Sequence, residues 1–94
     1  MSDAFADLTA FQRDVLWVLS NGGAQKGVGV RSQLENYYEK SVNHGQVYPN
    51  LNDLIERNLV KKSEVDGRTN EYSLTEEGHR ALQRRQAWVG GNNA

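Results

Sequence analysis

Two carboxamides, Gln46 and Asn50, are the side chains of this 94-residue chain best suited to a specific chemical task. Residues four apart share a helix face. A carboxamide sets a donor beside an acceptor, the pattern that pairs bidentately with an adenine edge in the major groove of duplex DNA. Arg57 is placed on the same polar side as a third base-reading residue. Asn43 and His44 stand just before them, where a helix should begin; free backbone N–H groups and the dipole there favour phosphate. Tyr48 joins this phosphate-binding set, as do Lys61, Lys62, Arg68 and Thr69 further along. The later residues suit the positioning of a DNA backbone rather than the reading of bases.

Each feature has a plainer explanation when taken alone. A polar helix face is often just solvated, and lysines on a hairpin discourage edge-to-edge strand pairing. Asp53 and Glu56 on the same helix work mildly against DNA, as does a net charge of -1. Local charge within about 8–10 Å matters more to phosphate than the chain total. A winged-helix module that binds protein instead of DNA is the alternative.

Catalysis finds little support. The chain has no cysteine, and His44 and His79 fall in different predicted helices. It has no glycine-rich phosphate loop and no metal-ligand spacing. We therefore expect no catalytic residue, no metal and no cofactor. The longest apolar run, Val15 to Leu19, is far short of the ~20 residues that span a bilayer. Met1 to Leu8 carries Asp3 and Asp7 and does not resemble a signal peptide. A cytoplasmic, nucleoid-associated protein without a membrane partner is expected.

The elements that must position these residues read as helix, helix, helix, hairpin, helix. Residues 1–8 form a flexible polar lead in which Phe5 and Leu8 are the candidates to pack. Residues 9–89 form one domain, and residues 90–94 a disordered tail. Thr9 and Gln12 make a capping box for a first helix over Ala10 to Ser20, stopped by Asn21-Gly22-Gly23. Ala24 to Gly29 is a connector, and a second helix runs from Val30 to Glu39. Asn43-x-x-Gln46 repeats the capping pattern for a third helix over 44–58. There Val47, Leu51, Leu54, Ile55 and Leu59 form the apolar stripe, and Pro49 predicts a slight kink. Asp66-Gly67 predicts a type I′ turn between strands Val60 to Val65 and Arg68 to Leu74. Thr75 opens the last helix, with Glu76 and Glu77 in its first turn and Arg80, Arg84 and Arg85 beyond, a polarity that suits the dipole. The expected class is α+β, mainly α: a winged helix-turn-helix of three helices, a β-hairpin wing (60–74) and a C-terminal dimerisation helix.

The run Gly45-Gln46-Val47-Tyr48-Pro49-Asn50-Leu51-Asn52-Asp53-Leu54, followed by Asn58-Leu59-Val60, resembles the recognition-helix signature of PadR-like transcriptional regulators. Tyr72-Ser73-Leu74-Thr75-Glu76-Glu77-Gly78 is similar to the family's Tyr-x-Leu-Thr-x-x-Gly. Gly27, Val30 and Leu34 match the spacing of its second helix, while Val28 replaces the family's usual aromatic. The resemblance covers about residues 8 to 85. It implies a repressor-like homodimer on double-stranded DNA, with the last helix packed on the partner's first. Trp17 supports that contact independently, lying about 240° around its helix from Phe11 and so off the core stripe. Leu82, Trp88 and Val89 complete the expected dimer interface; packing of Trp17 beneath the lead near Phe5 is the alternative. Some members of the family bind planar aromatic effectors at the dimer seam, which gives Trp17 or Trp88 a second expected role.

Overall fold

The computed structural model describes residues 3–91, which fold as four helices and a three-stranded antiparallel sheet. A 3₁₀ turn at Ala4–Asp7 precedes α1 (Ala10–Gly22), β1 (Gln25–Lys26), α2 (Gly27–Tyr38), α3 (His44–Glu56), β2 (Val60–Glu64), β3 (Asn70–Leu74) and α4 (Glu76–Val89). The strand order is β1-β3-β2. This is the expected winged helix-turn-helix, with a third strand the sequence did not announce.

The lead expected to be flexible is instead ordered from Asp3. Phe5 is 2% exposed and Leu8 is 5% exposed. The Arg13 and Arg85 guanidiniums lie 5.1 and 5.5 Å from the Phe5 ring, and Arg13 Nε donates to the Phe5 carbonyl at 3.2 Å. One buried aromatic with a cation from α1 and another from α4 is enough to hold so short a segment. Of the expected tail, Gly90 and Gly91 continue from α4; residues 92–94, like residues 1–2, lie outside the described residues.

Both halves of the Thr9–Gln12 capping box form, each at 3.1 Å. The second box does not: Asn43 begins α3 without a side-chain cap bond, and its carbonyl instead accepts from Gln46 N–H at 3.1 Å. The start of α2 also moves. It begins at Gly27, not Val30, because Gln25 and Lys26 pair with Tyr72 and Glu71 of β3 and so deliver the chain directly into the helix. Gly27 suits that start: a Cβ would stand 2.5 Å from the Tyr48 ring, which would have to move aside.

α3 ends at Glu56, two residues short of expectation, because Asn58 takes the left-handed conformation at φ 62. Asparagine tolerates that region, and Leu59 N–H then reaches back to the Leu54 carbonyl at 3.0 Å. The hairpin turn is longer than a type I′ turn. Only Gly67 has positive φ (83), and Asp66 Oδ1 accepts from the Arg68 and Thr69 amides at 3.3 and 3.0 Å. The Asp-Gly pair still makes the turn, through an Asx cap; the strands accordingly shorten to 60–64 and 70–74.

The core gathers Val15, Leu16 and Leu19 of α1, Val30 and Leu34 of α2, and Val47, Leu51 and Leu54 of α3. Leu59, Val60, Tyr72, Leu74, Ala81 and Leu82 close it from the sheet and α4. Three fully buried side chains on α3, at roughly 1.5–3 kcal/mol each, fix which face of that helix turns to solvent.

Candidate nucleic-acid interface

The turn between α2 and α3 decides how the third helix is presented. Its centre is Val42, 2% exposed. Glu35 Oε2 accepts from Val42 N–H at 2.9 Å, and Arg31 Nε donates to the Val42 carbonyl. One ion-paired side chain couple on α2 therefore satisfies both backbone groups of the turn. Arg31 also reaches the start of α3, with Nη1 2.9 Å from His44 Nε2. The His44 ring in turn stacks on Tyr48, with centroids 5.8 Å apart and planes 8° from parallel. Neither Arg31 nor Glu35 stood out in the sequence; their signal is an i,i+4 charge pair next to a helix-ending turn.

The base-reading candidates separate along α3. Gln46 is exposed and its amide makes no hydrogen bond among the described residues. Asn50 is half-buried with both ends of its amide engaged: Oδ1 accepts from Gln12 Nε2 at 3.1 Å, and Nδ2 donates to the Gln46 carbonyl at 2.7 Å. Arg57 caps the far end, about 20 Å along the axis from His44, where it pairs with Asp53 at 3.0 Å. Gln12, 5% exposed, also donates to Asp53 Oδ2 at 2.7 Å. Bonds from Arg57 and then from Gln12 hold the Asp53 carboxyl below the usual carboxylate range. The acid that seemed ill-suited to DNA thus serves to tie α3 to α1.

Asn43 and His44 are exposed at the uncapped N-terminus of α3, and Tyr48 is half-buried one turn later. Lys61 and Lys62 are both exposed, yet the register divides them. Lys62 lies opposite Tyr72, on the face shared by Val60 and Leu74, whereas Lys61 lies opposite Ser73 on the other face. Arg68 and Thr69 stand in the wing turn and border a groove of about 250 Å³ with Lys26, Gly27, Val28, Tyr48, Asn70 and Tyr72. The groove joins the start of α2, the side of α3 and the wing, and so brings together residues that the sequence left scattered. Among the described residues there is no cluster of potential metal ligands, and no helix is long and apolar enough to cross a membrane.

The dimer candidates lie elsewhere. Trp88 and Val89 are 58% and 67% exposed, with the Arg85 guanidinium 4.5 Å from the Trp88 ring. Trp17 is half-buried and meets the edge of Phe5 at 6.5 Å. Leu82, by contrast, is 4% exposed and belongs to the chain's own core.

Residues 15–84 match the sequence profile described as the transcriptional regulator PadR-like family. RosR is similar along most of its length. The hsRosR-SG complex is 50% identical over 96% of this chain and 79% of that one, with a TM-score of 0.90. RosR of H. salinarum grown from NaBr is 51% identical over 88% and 74%, with a TM-score of 0.84. Two more distant proteins share the fold. A winged-helix DNA-binding protein from STIV is 20% identical over 88% and 91% (TM-score 0.71). BpsR of Bordetella bronchiseptica, whose DNA binding is regulated by 6-hydroxynicotinic acid, is 22% identical over 98% and 65% (TM-score 0.77). No curated protein matches the chain.

Proposed function

The chain belongs to the PadR-like family of DNA-binding transcriptional regulators, and we propose that it is a homodimeric repressor that reads duplex DNA with the first half of α3. The observation that carries this is the open start of α3. Asn43, His44 and Gln46 are exposed there with no side-chain cap on the helix, while the second half is fastened inward through Asn50 and Asp53. Gln46 is the principal base reader, and Asn50 acts mainly by holding the helix at its depth. Arg57, Asn43, His44, Tyr48, Lys61, Lys62, Arg68 and Thr69 supply the surrounding contacts. Lys62 shares a face with Tyr72 at the groove and contributes more than Lys61.

Two copies of α3 would enter successive major grooves about 34–36 Å apart. Exposed Trp88 and Val89, with Trp17, support the pairing; isolated large apolar groups of this kind are typical interface anchors. Trp17 also borders a cleft of about 420 Å³ between α1 and α2, a place for a small aromatic effector beside the seam. The family's membership among regulators supports a non-enzymatic, cytoplasmic role.

Titration of a fluorescent duplex from upstream of its own gene, at two salt concentrations, tests the reading. Affinity should fall steeply with salt and exceed that for a scrambled duplex. Gln46→Ala should cost about 1–3 kcal/mol on the preferred duplex alone. Absence of binding at low salt would refute the proposal.

A further inference from the structure

Tyr72 poses a question that the core does not answer. Its residue is 5% exposed and its ring is counted in the core, yet its hydroxyl makes no hydrogen bond among the described residues. Among those residues no fully buried side-chain nitrogen or oxygen lacks a partner. The Tyr72 hydroxyl therefore keeps some access to solvent, and its residue lines the groove between α2 and the wing. A largely buried phenol whose donor has no protein partner can give that hydrogen bond to a ligand in the groove.

The rest of the groove fits an anion. α2 begins at its floor with Lys26 as N-cap and no side-chain cap bond. The first amides of a helix have no internal acceptor and point along its axis, and the dipole there favours negative charge. Lys26 and Arg68 bring the only full charges in the lining, both positive. Thr69, Asn70 and Tyr48 add neutral polar groups. Of the acids beside it, Asp66 is committed to the Arg68 and Thr69 amides of the wing turn, and Glu71, opposite Lys26 in the β1–β3 pair, is not among the lining residues. Burial, followed by the neighbouring Tyr48, raises the Tyr72 pKa, so the hydroxyl keeps its proton as a donor.

We propose that this groove seats a single backbone phosphate of duplex DNA, with the Tyr72 hydroxyl as its innermost donor and the first amides of α2, Lys26 and Arg68 around it. The proposal rests on the DNA-binding reading above and adds a fixed contact between the wing and the helix-turn-helix. A phosphate held on both sides locks the wing angle relative to α3 whenever DNA is bound. The contact positions and carries no sequence information of its own.

A cross of protein variant against DNA modification tests it. In the upstream duplex, each phosphate in turn is replaced by a neutral methylphosphonate, and affinities are measured for the wild type, Tyr72→Phe and Lys26→Gln. Tyr72→Phe should weaken the unmodified duplex about tenfold, the scale of a hydrogen bond to a charged group. At one modified position per half-site that loss should disappear. Lys26→Gln should lower the salt slope by about one and be silent at the same position. Equal losses at every modified position would overturn the phosphate seat while leaving duplex binding intact. Failure of the wild type to bind the duplex at all would overturn both readings. Calorimetric titration of inorganic phosphate should give no saturable heat at millimolar concentration; tight binding lost in Tyr72→Phe would make the groove a site for free anion instead.

Discussion

The four helices begin in two different ways. α1 and α4 are closed by threonines: Thr9 Oγ1 accepts from Gln12 N–H at 3.1 Å, and Thr75 Oγ1 from Gly78 N–H at 3.0 Å. α2 and α3 begin at Lys26 and Asn43 with no side-chain cap bond. The closed pair faces the chain itself. Thr75 also donates to the Asn58 carbonyl at 2.6 Å, and its N–H to the Leu59 carbonyl at 3.1 Å, which knits α4 to the end of α3. The open pair borders the groove and the exposed residues of the recognition helix. Where a helix start builds the fold, a threonine side chain caps it; where it faces outward, no side chain does, and the first amides are left to an external anion. That contrast separates residues whose loss unfolds the protein from residues whose loss releases DNA.

Substitutions on the closed side should act first on stability. The largest effect is expected from Gly78→Ala, because a Cβ would collide with the Leu59 carbonyl oxygen and backbone cannot move aside cheaply. A loss of about 3 kcal/mol follows from overpacking on that scale, measurable by urea denaturation. Thr75→Ala should cost about 1–2 kcal/mol through the lost cap, and far below the melting transition its DNA affinity should be unchanged. On the open side the order reverses. Asn43→Ala removes no cap bond, so its stability should stay within about 0.5 kcal/mol while its affinity for duplex falls. If Asn43→Ala destabilised as Thr75→Ala does, the contrast between the two kinds of start would collapse.

The smallest effect concerns acid. Asp53 has its pKa lowered by Arg57 and Gln12, so the folded state holds fewer protons than the unfolded chain. Its stabilisation is present above the ordinary value of about 3.8 and is lost as pH falls through the lower folded value. Asp53→Asn should therefore lower stability slightly at pH 7, leave the acid end unchanged, and so flatten the low-pH limb of a stability curve. An unchanged acid limb would show that the tie between α1 and α3 does not depend on that carboxylate.

Much of the fold was legible because its signals are local. The Thr9–Gln12 box, the apolar stripe of α3 and the Asp-Gly turn each depend on residues within a few positions. The family's Leu-Thr-x-x-Gly run also gains a physical meaning: Leu74 packs in the core, Thr75 caps α4, and Gly78 lets that helix pass the Leu59 carbonyl. The interface was less legible because its partners are distant. Gln12 and Asn50 meet across 38 positions, and Gln12 and Asp53 across 41. Nothing local could reveal that Asn50 faces inward. β1 has only two residues and owes its existence to pairing with β3. Asn43 and Gln46 carry the same local pattern as Thr9 and Gln12, and it goes unused. At α3 the neighbouring His44 is held instead by Arg31 and Tyr48 from another helix and the next turn. A capping sequence permits a cap without compelling it.

The account is tested most directly by amide NMR of the ¹⁵N-labelled protein with and without the upstream duplex. The amides of Gly27, Val28 and Gly29 and of His44 and Gly45 should shift strongly and slow their exchange with solvent. Those of Gln12 and Gly78, already answered by threonine, should hardly move. Strong shifts at the threonine-capped starts with none at the open ones would place DNA on a different face and contradict the account.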